Sequence, residues 1–293
     1  MNGARKKTLR EVLLTIPSFV WLTIFFLLPT IIIFAIAFKP ASPDGQVAAG
    51  WTWRTLLSLR NPNYPQIIWR TIWLSLATTV ISLAISVPIA YYIARCAAWK
   101  RNLILFLTII PFWTSFLIRI FAWKQVLHPD GLLKQALVWL HLVNPDTLLL
   151  YRPEAVLLVM IYTELPFAIL PLYSAAEKFD FTLLEAAMDL GAGRLRAFVS
   201  IFIPGIKAGL LSACLMVLIP SFGNYVVPDV VGGIGSQMLG NVIAQKTFTD
   251  RNLPAASALS AVLILCTLIP LLYFLKGKKG GKDQEPKPAK EVV

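Results

Sequence analysis

Six stretches of the chain are apolar over lengths that soluble core helices rarely reach. Residues 12–38 and 71–94 carry no charged side chain. Residues 102–118 are uncharged up to Arg119, and 155–176 hold one charge, Glu164. Residues 208–228 and 252–275 are again free of charge. About 20 mostly apolar residues cross a hydrocarbon core of roughly 30 Å. Each run therefore predicts a membrane-spanning helix, and together they predict an all-α integral membrane protein with six transmembrane helices.

The first run follows Arg5, Lys6, Lys7 and Arg10, and Ala35-Ile36-Ala37 imitates a small-x-small cleavage site. Its apolar stretch exceeds the roughly 7–15 residues of a secretory signal core. An uncleaved first helix is the expectation. The chain then divides into an N-terminus (1–11), the first helix with a long loop (12–70), a core of five further spans (71–275) and a basic tail (276–293). The long loop holds Pro40, Pro43, Pro62 and Pro65 together with Trp51 and Trp53. A tight turn is expected at 95–101, and a second excursion at about 124–154 contains a short helical pattern near 132–142. The tail is rich in Lys, Gly and Pro, a composition that predicts disorder.

Composition supports this picture. Of the 293 residues, 57% are apolar and 14% charged, and the mean hydropathy is +0.69. Soluble domains average about 25% charged residues, so a soluble enzyme or nucleic-acid binder fits poorly. The net charge of +12 reads instead as orientation and contact with anionic head groups. With both termini in the cytoplasm, 17 of the 27 Lys and Arg fall inside. Cys96, Cys214 and Cys266 are odd in number and each sits in an apolar run. They predict packing residues, with neither disulfide nor zinc spacing. The tail's Gly277-Lys-Lys-Gly-Gly-Lys282 lacks the Walker spacing of a phosphate loop.

The segment 177–207 is long, mixed in charge and patterned. Thr182-Leu-Leu-Glu185 predicts a capping box, with Thr182 as N-cap and Glu185 at N3. Leu183, Leu184, Ala187 and Leu190 then give a one-sided helix of about two turns. Gly191-Ala192-Gly193 ends it, because glycine adopts the left-handed conformation without a Cβ clash. A second amphipathic pattern, Leu195, Phe198, Ile201 and Phe202, is expected to stop at Pro204. Periodicity leaves two readings open: a docking element, or a helix lying in the lipid interface.

Glu185-Ala186-Ala187-Met-Asp-Leu-Gly191, followed by Ile203-Pro204, resembles the EAA signature of binding-protein-dependent ABC importer permeases. It precedes the penultimate span, as in that family. Pro111-Phe-Trp-Thr-Ser-Phe-Leu-Ile-Arg119-Ile-Phe-Ala-Trp123 and Pro220-Ser-Phe-Gly223-Asn-Tyr-Val-Val-Pro228-Asp-Val-Val-Gly232-Gly233 are similar to stretches of the spermidine/putrescine type. The resemblance covers roughly residues 71–275. It implies a type I importer permease fold in a bacterial inner membrane, with both termini cytoplasmic. It also implies a non-catalytic subunit that binds no cofactor itself, ATP and Mg being held by a cytoplasmic ATPase dimer. Further implied partners are a second permease subunit, related or identical, and an external solute-binding protein. Glu185, Ala186, Ala187, Gly191 and Pro204 would form the contact with the ATPase.

A path for a polycation should offer carboxylate and aromatic faces. Glu164, near the middle of the fourth run, is the best candidate, with Tyr162 close by. Trp113, Phe222, Tyr225 and Asp229 are further candidates. Glu164 also reads as an intramembrane ion-pair partner of Arg119, since a mid-membrane acid usually faces a cavity or a partner. Both roles stay open at this point. Gly223, Pro228, Gly232, Gly233 and Gly235 predict an interrupted fifth span. Gly205-x-x-x-Gly209 predicts close helix packing. Importers of ferric iron or an oxyanion are alternatives, and an anion path would carry basic residues in place of Glu164. A secondary transporter would leave the EAA-like segment unused. An intramembrane enzyme would need histidines or paired acids that these spans lack.

Overall fold

The structure, a computed structural model, describes residues 15–42, 45–60 and 62–279. Among these residues the regular elements are all helical, apart from one isolated antiparallel bridge between Ala41 and Val47. Three helices are long and apolar enough to span a membrane: α1 (Thr15–Ala37), α2 (Asn63–Arg95) and, further along, Pro153–Glu177. Two bent helix pairs bring the number to five if each pair is one span, against the six that the sequence predicts. In the first, α3 (Ala98–Trp113) meets α4 (Phe116–Val126) at 94°. A short helix, α5 (Leu132–Trp139), then leads to α6 (Pro153–Glu177). Next come α7 (Thr182–Asp189) and a second bent pair, α8 (Arg194–Gly205) and α9 (Lys207–Gly223), which meet at 73°. After α10 (Val226–Val230) and α11 (Leu239–Ala244), the last helix, α12 (Leu253–Lys279), carries the apolar stretch Leu253–Ile269.

Three boundaries differ from the sequence reading. Helix α2 starts at Asn63, inside the expected loop, because Pro65 falls in its first turn, where a missing N–H costs nothing. The third span breaks at Thr114 and Ser115, whose ψ angles of 149° and 138° are extended. By contrast, Pro166 and Pro171 leave α6 unbroken over 25 residues; in a membrane, neighbouring groups compensate a proline's lost bond. Finally, α12 continues to Lys279, so the expected tail begins as helix. The rest of the tail, like residues 1–11, lies outside the described residues.

The chain forms two compact units. Among the described residues, one comprises those up to Pro65 together with Val242–Leu265; the other comprises Gln66–Asn241 and those from Cys266 to Lys279. In the first, Ala37, Ala258 and Ala261 are buried beneath Phe34, Phe38, Leu56 and Leu59. Lys246 Nζ donates to Asp250 at 2.6 Å.

In the second unit, α6 and α9 share the most extensive helix–helix interface. Its closeness depends on Gly209, the second glycine of the small-x-x-x-small pair; the first, Gly205, ends α8. A Cβ at Gly205 would meet the Phe179 ring, and one at Gly209 would meet the Ala175 Cβ and, at 3.0 Å, the Pro171 carbonyl. At one end of this seam lies a core of Ile120, Val156, Val159, Met160, Val227 and Met238. At the other lies a core of Val87, Leu172, Ala176, Leu184, Phe202 and Ile206.

Candidate functional site: a cavity between two broken helices

The sequence breaks the third and fifth spans, and the two breaks meet across α6. Helix α9 ends at Gly223, and Asn224 turns extended, with ψ 122°. Its Oδ1 accepts the Val227 N–H at 3.2 Å, restarting the chain as α10. From below, Asn241 Nδ2 donates to the Tyr225 carbonyl at 2.8 Å, while Asn241 Oδ1 accepts the Met238 N–H at 3.2 Å. The segment leading to Asn241 is pinned to α2, where the Thr71 hydroxyl accepts the Leu239 N–H at 2.8 Å. Non-helical backbone at membrane depth needs such internal partners. The fifth span is therefore interrupted where its glycines predicted, and Asn241, which drew no attention in the sequence, organises the interruption.

Between the breaks lies a cavity of about 410 Å³. Phe112, Phe116 and Arg119 line it from the third span, Thr163, Glu164 and Phe167 from α6, and Asn224 and Tyr225 from the fifth. Glu164 is 5% exposed, and its Oε2 has no hydrogen-bond partner. The Arg119 guanidinium carbon lies 5.3 Å from the centre of the Phe112 ring and 5.8 Å from that of Phe116. Phe112 in turn meets Phe167 edge-on at 5.1 Å.

The expected ion pair between Arg119 and Glu164 is not formed. Ion pairs among the described residues join Arg101 to Glu177, Arg152 to Glu154 and Lys246 to Asp250, and His128 Nδ1 lies 3.6 Å from Asp130 Oδ2. The buried Arg119 Nε is itself without a partner. An acid and a base thus share one cavity, with the base turned to aromatic faces.

Of the other path candidates, Tyr225 lines the cavity, and four do not. Tyr162 is half-buried and packs edge-on against Trp123 at 5.2 Å. Trp113 is 74% exposed and meets Phe106. Phe222 is buried in the α9 packing, and Asp229 is exposed. Phe112, Phe116 and Phe167 line the cavity in their place. Their signal lay in the apolar runs themselves, where a wall-forming phenylalanine and a packing one look alike.

The segment after α6 has a different architecture. Thr182 does not cap α7; it is the first helical residue, and no Thr182–Glu185 capping box forms. Instead Asp180 Oδ1 accepts both the Thr182 N–H at 3.0 Å and its hydroxyl at 2.7 Å. Those two bonds hold the Asp180 carboxyl below its ordinary pKa. The carboxylate two residues upstream engages the Thr182 hydroxyl as a donor in a charge-assisted bond, which is stronger than a neutral one. At the other end, the Gly191 N–H bonds to the Met188 carbonyl at 2.9 Å and the Ala192 N–H to the Ala187 carbonyl at 3.0 Å. This is a Schellman closure, and Gly191 has φ +89°.

Pro204 is the penultimate residue of α8, which ends within a residue of the expected stop. It comes after a widened turn over Phe198–Phe202, and the bend follows at Ile206. Tyr91, Phe179, Phe181, Phe198 and Phe202 interlock beneath the segment, with ring centres 5.0–6.2 Å apart. Glu185 and Ala186 face outward, Ala187 is half-buried, and Leu190 and Leu195 are 90% and 77% exposed. The result is a rigidly rooted helical hairpin with an apolar outer tip.

Residues 86–279 match the family described as binding-protein-dependent transport system inner membrane component. The chain belongs to this family. It is a multi-pass membrane permease of the ABC importer class. Among its relatives is the spermidine/putrescine transport system permease protein PotB of Haemophilus influenzae. That protein is 36% identical over 261 residues, which cover 89% of this chain and 91% of the relative. PotB of Escherichia coli is 34% identical, over 88% of this chain and 94% of its own length. In fold, the permease is similar to a chain of a bacterial ABC transporter that imports the acidic polysaccharide alginate. The TM-score is 0.70 at 18% identity, covering 95% of this chain and 97% of that one.

Proposed function

We propose that this permease, paired with a second permease subunit, forms the membrane path of an ATP-driven polyamine importer. The observation that carries the substrate class is the cavity. It combines a buried, unpaired carboxylate, Glu164, with aromatic walls from Phe112, Phe116, Phe167 and Tyr225. An alkylammonium gains from both. Cation–π contact contributes about 0.5–2 kcal/mol per site, and the carboxylate supplies the counter-charge. The names of the PotB relatives support the same substrate.

In this reading the hairpin Thr182–Gly205 faces the cytoplasm and docks on an ATPase subunit, which holds ATP and Mg. Glu185, Ala186, Ala187 and Gly191 shape the docking helix. Pro204 lies where the hairpin joins the span. A solute-binding protein delivers the polyamine from the opposite side, and both termini are cytoplasmic. Nucleotide binding drives transport by favouring one facing state, which requires a difference in affinity between states.

A second reading, import of an anion, is favoured by one feature: Arg119 shares the cavity. The experiment that separates them is ATPase stimulation of the assembled complex in lipid, with spermidine, putrescine, ferric iron or sulfate, each delivered by its binding protein. Polyamine-selective stimulation that falls to the basal rate in Glu164→Gln is the expected outcome. Stimulation by sulfate alone would assign the cavity to anions, and failure to recover an ATPase would sink the importer reading.

A further inference from the structure

We infer that Arg119 is a tethered competitor cation. Its guanidinium fills the aromatic cage while no substrate is present, and an incoming ammonium must displace it. This inference rests on the polyamine reading above.

Three observations carry it. The guanidinium lies against two phenylalanine rings at once, 5.3 Å and 5.8 Å from their centres. Those rings are the same ones that line the cavity shared with Glu164. And the one carboxylate lining that cavity does not hold the arginine: no ion pair links the two, and Glu164 Oε2 and Arg119 Nε are both buried without partners. A structural arginine in a membrane is expected to pair with an acid or with backbone carbonyls. Arg119 has given up the acid for ring faces, which leaves the carboxylate free for a second cation.

The backbone favours a movable side chain here. Phe112 precedes the 94° break at Thr114 and Ser115, whereas Phe116 and Arg119 follow it on α4. A change in that bend would separate one ring from the other and release the guanidinium. A charge tethered in the cage also sets a threshold. A ligand with one weakly held charge cannot replace it, while a polyamine engages Glu164 first and competes for the rings with a second part of the same molecule. The presence of a base in the cavity, which favoured an anion, becomes a selectivity device for a polycation.

The test uses the full complex with its ATPase and binding protein in lipid vesicles, reading the spermidine concentration for half-maximal ATPase stimulation. Arg119→Met should lower that concentration about tenfold, the scale of one desolvated cation–π contact. Arg119→Lys should stay near the wild-type value. Loss of charge alone would also lower it, so a double-mutant cycle with Phe112→Leu decides. In the wild type, Phe112→Leu removes the seat of both competitors and should shift the value little. In Arg119→Met it removes only the substrate's seat and should raise the value several-fold.

Additive effects would reduce Arg119 to a through-space charge and overturn the inference, as would an unchanged value in Arg119→Met. Arg119→Gln serves if the Met variant does not assemble; failure of both would make Arg119 a structural residue. A wild-type complex that spermidine does not stimulate would overturn the polyamine reading itself, whatever the variants do.

Discussion

Gly209 of α9 faces Ala175 of α6 so closely that a Cβ on the glycine would overlap the alanine's own. The seam between these helices joins the cavity end of the permease to the hairpin end. The glycine sets the seam's spacing.

Gly209→Ala should therefore destabilise the protein, although alanine is the better helix former. Overpacking costs about 1–3 kcal/mol against a propensity gain of about 0.5–1 kcal/mol. A lowered melting temperature in detergent is the expected result. Ala175→Gly in the same chain should recover most of it. An unchanged melting temperature would mean that the seam can widen freely.

Gly191 is constrained differently. Nothing lies within 4 Å of a Cβ built there, so the limit is its φ of +89° alone. Left-handed backbone costs an ordinary L-residue about 1–2 kcal/mol, and asparagine tolerates it best. Coupling of ATP hydrolysis to transport should fall in the order Gly, Asn, Ala, Val, with assembly retained. Equal coupling in Gly191→Val and the wild type would show that the hairpin angle is not set by this closure.

Asn241→Leu keeps the side-chain volume close but removes both bonds that organise the fifth-span break. The Tyr225 carbonyl and Met238 N–H would lose their partners, at about 1–3 kcal/mol for each buried group left unsatisfied. Hydrogen exchange at Met238 should accelerate, and polyamine stimulation should weaken as Tyr225 moves. Unaltered exchange at Met238 would mean that another group replaces the asparagine.

Asp180 gives a prediction with a defined pH sign. Its carboxyl is held below the ordinary value of 3.8 by the Thr182 bonds. The charged form therefore stabilises the start of α7 at every pH above that value, and the contribution disappears only as pH falls through the lowered one. Amide exchange at Thr182, corrected for its intrinsic rate, should be flat across neutral pH and rise in acid. Asp180→Ala should show the acid-like rate throughout, whereas Thr182→Ser should stay protected.

Sequence reading reached the all-helical membrane fold, the interrupted fifth helix, the glycine closure and the EAA-like segment. Each of these is written locally, in an apolar run, a φ requirement or a short signature. It did not reach the number of spans, where the described residues give three long helices, or five with the two bent pairs. It also failed where two local options competed. Thr182 and Asp180 are both residue types that cap helix starts, and only their placement showed that the carboxylate is the acceptor and Thr182 the donor. Pro204 marked the stop to within a residue, since α8 ends at Gly205, but the widened turn before it was not legible.

The cavity shows the same division at larger scale. Hydrophobicity along the chain, by itself, determined that this is a helical membrane protein, because lipid leaves the backbone few other ways to satisfy its hydrogen bonds. It also singled out Glu164 and Arg119, since a charge inside an apolar run is costly and stands out. Only the tertiary structure decided what those charges do. The third-span and fifth-span breaks meet across α6, bringing residues more than a hundred positions apart to one space. In that space the arginine turns to Phe112 and Phe116, and the glutamate is left unpaired. No periodicity records such a choice, because it depends on which faces of distant helices are pressed together.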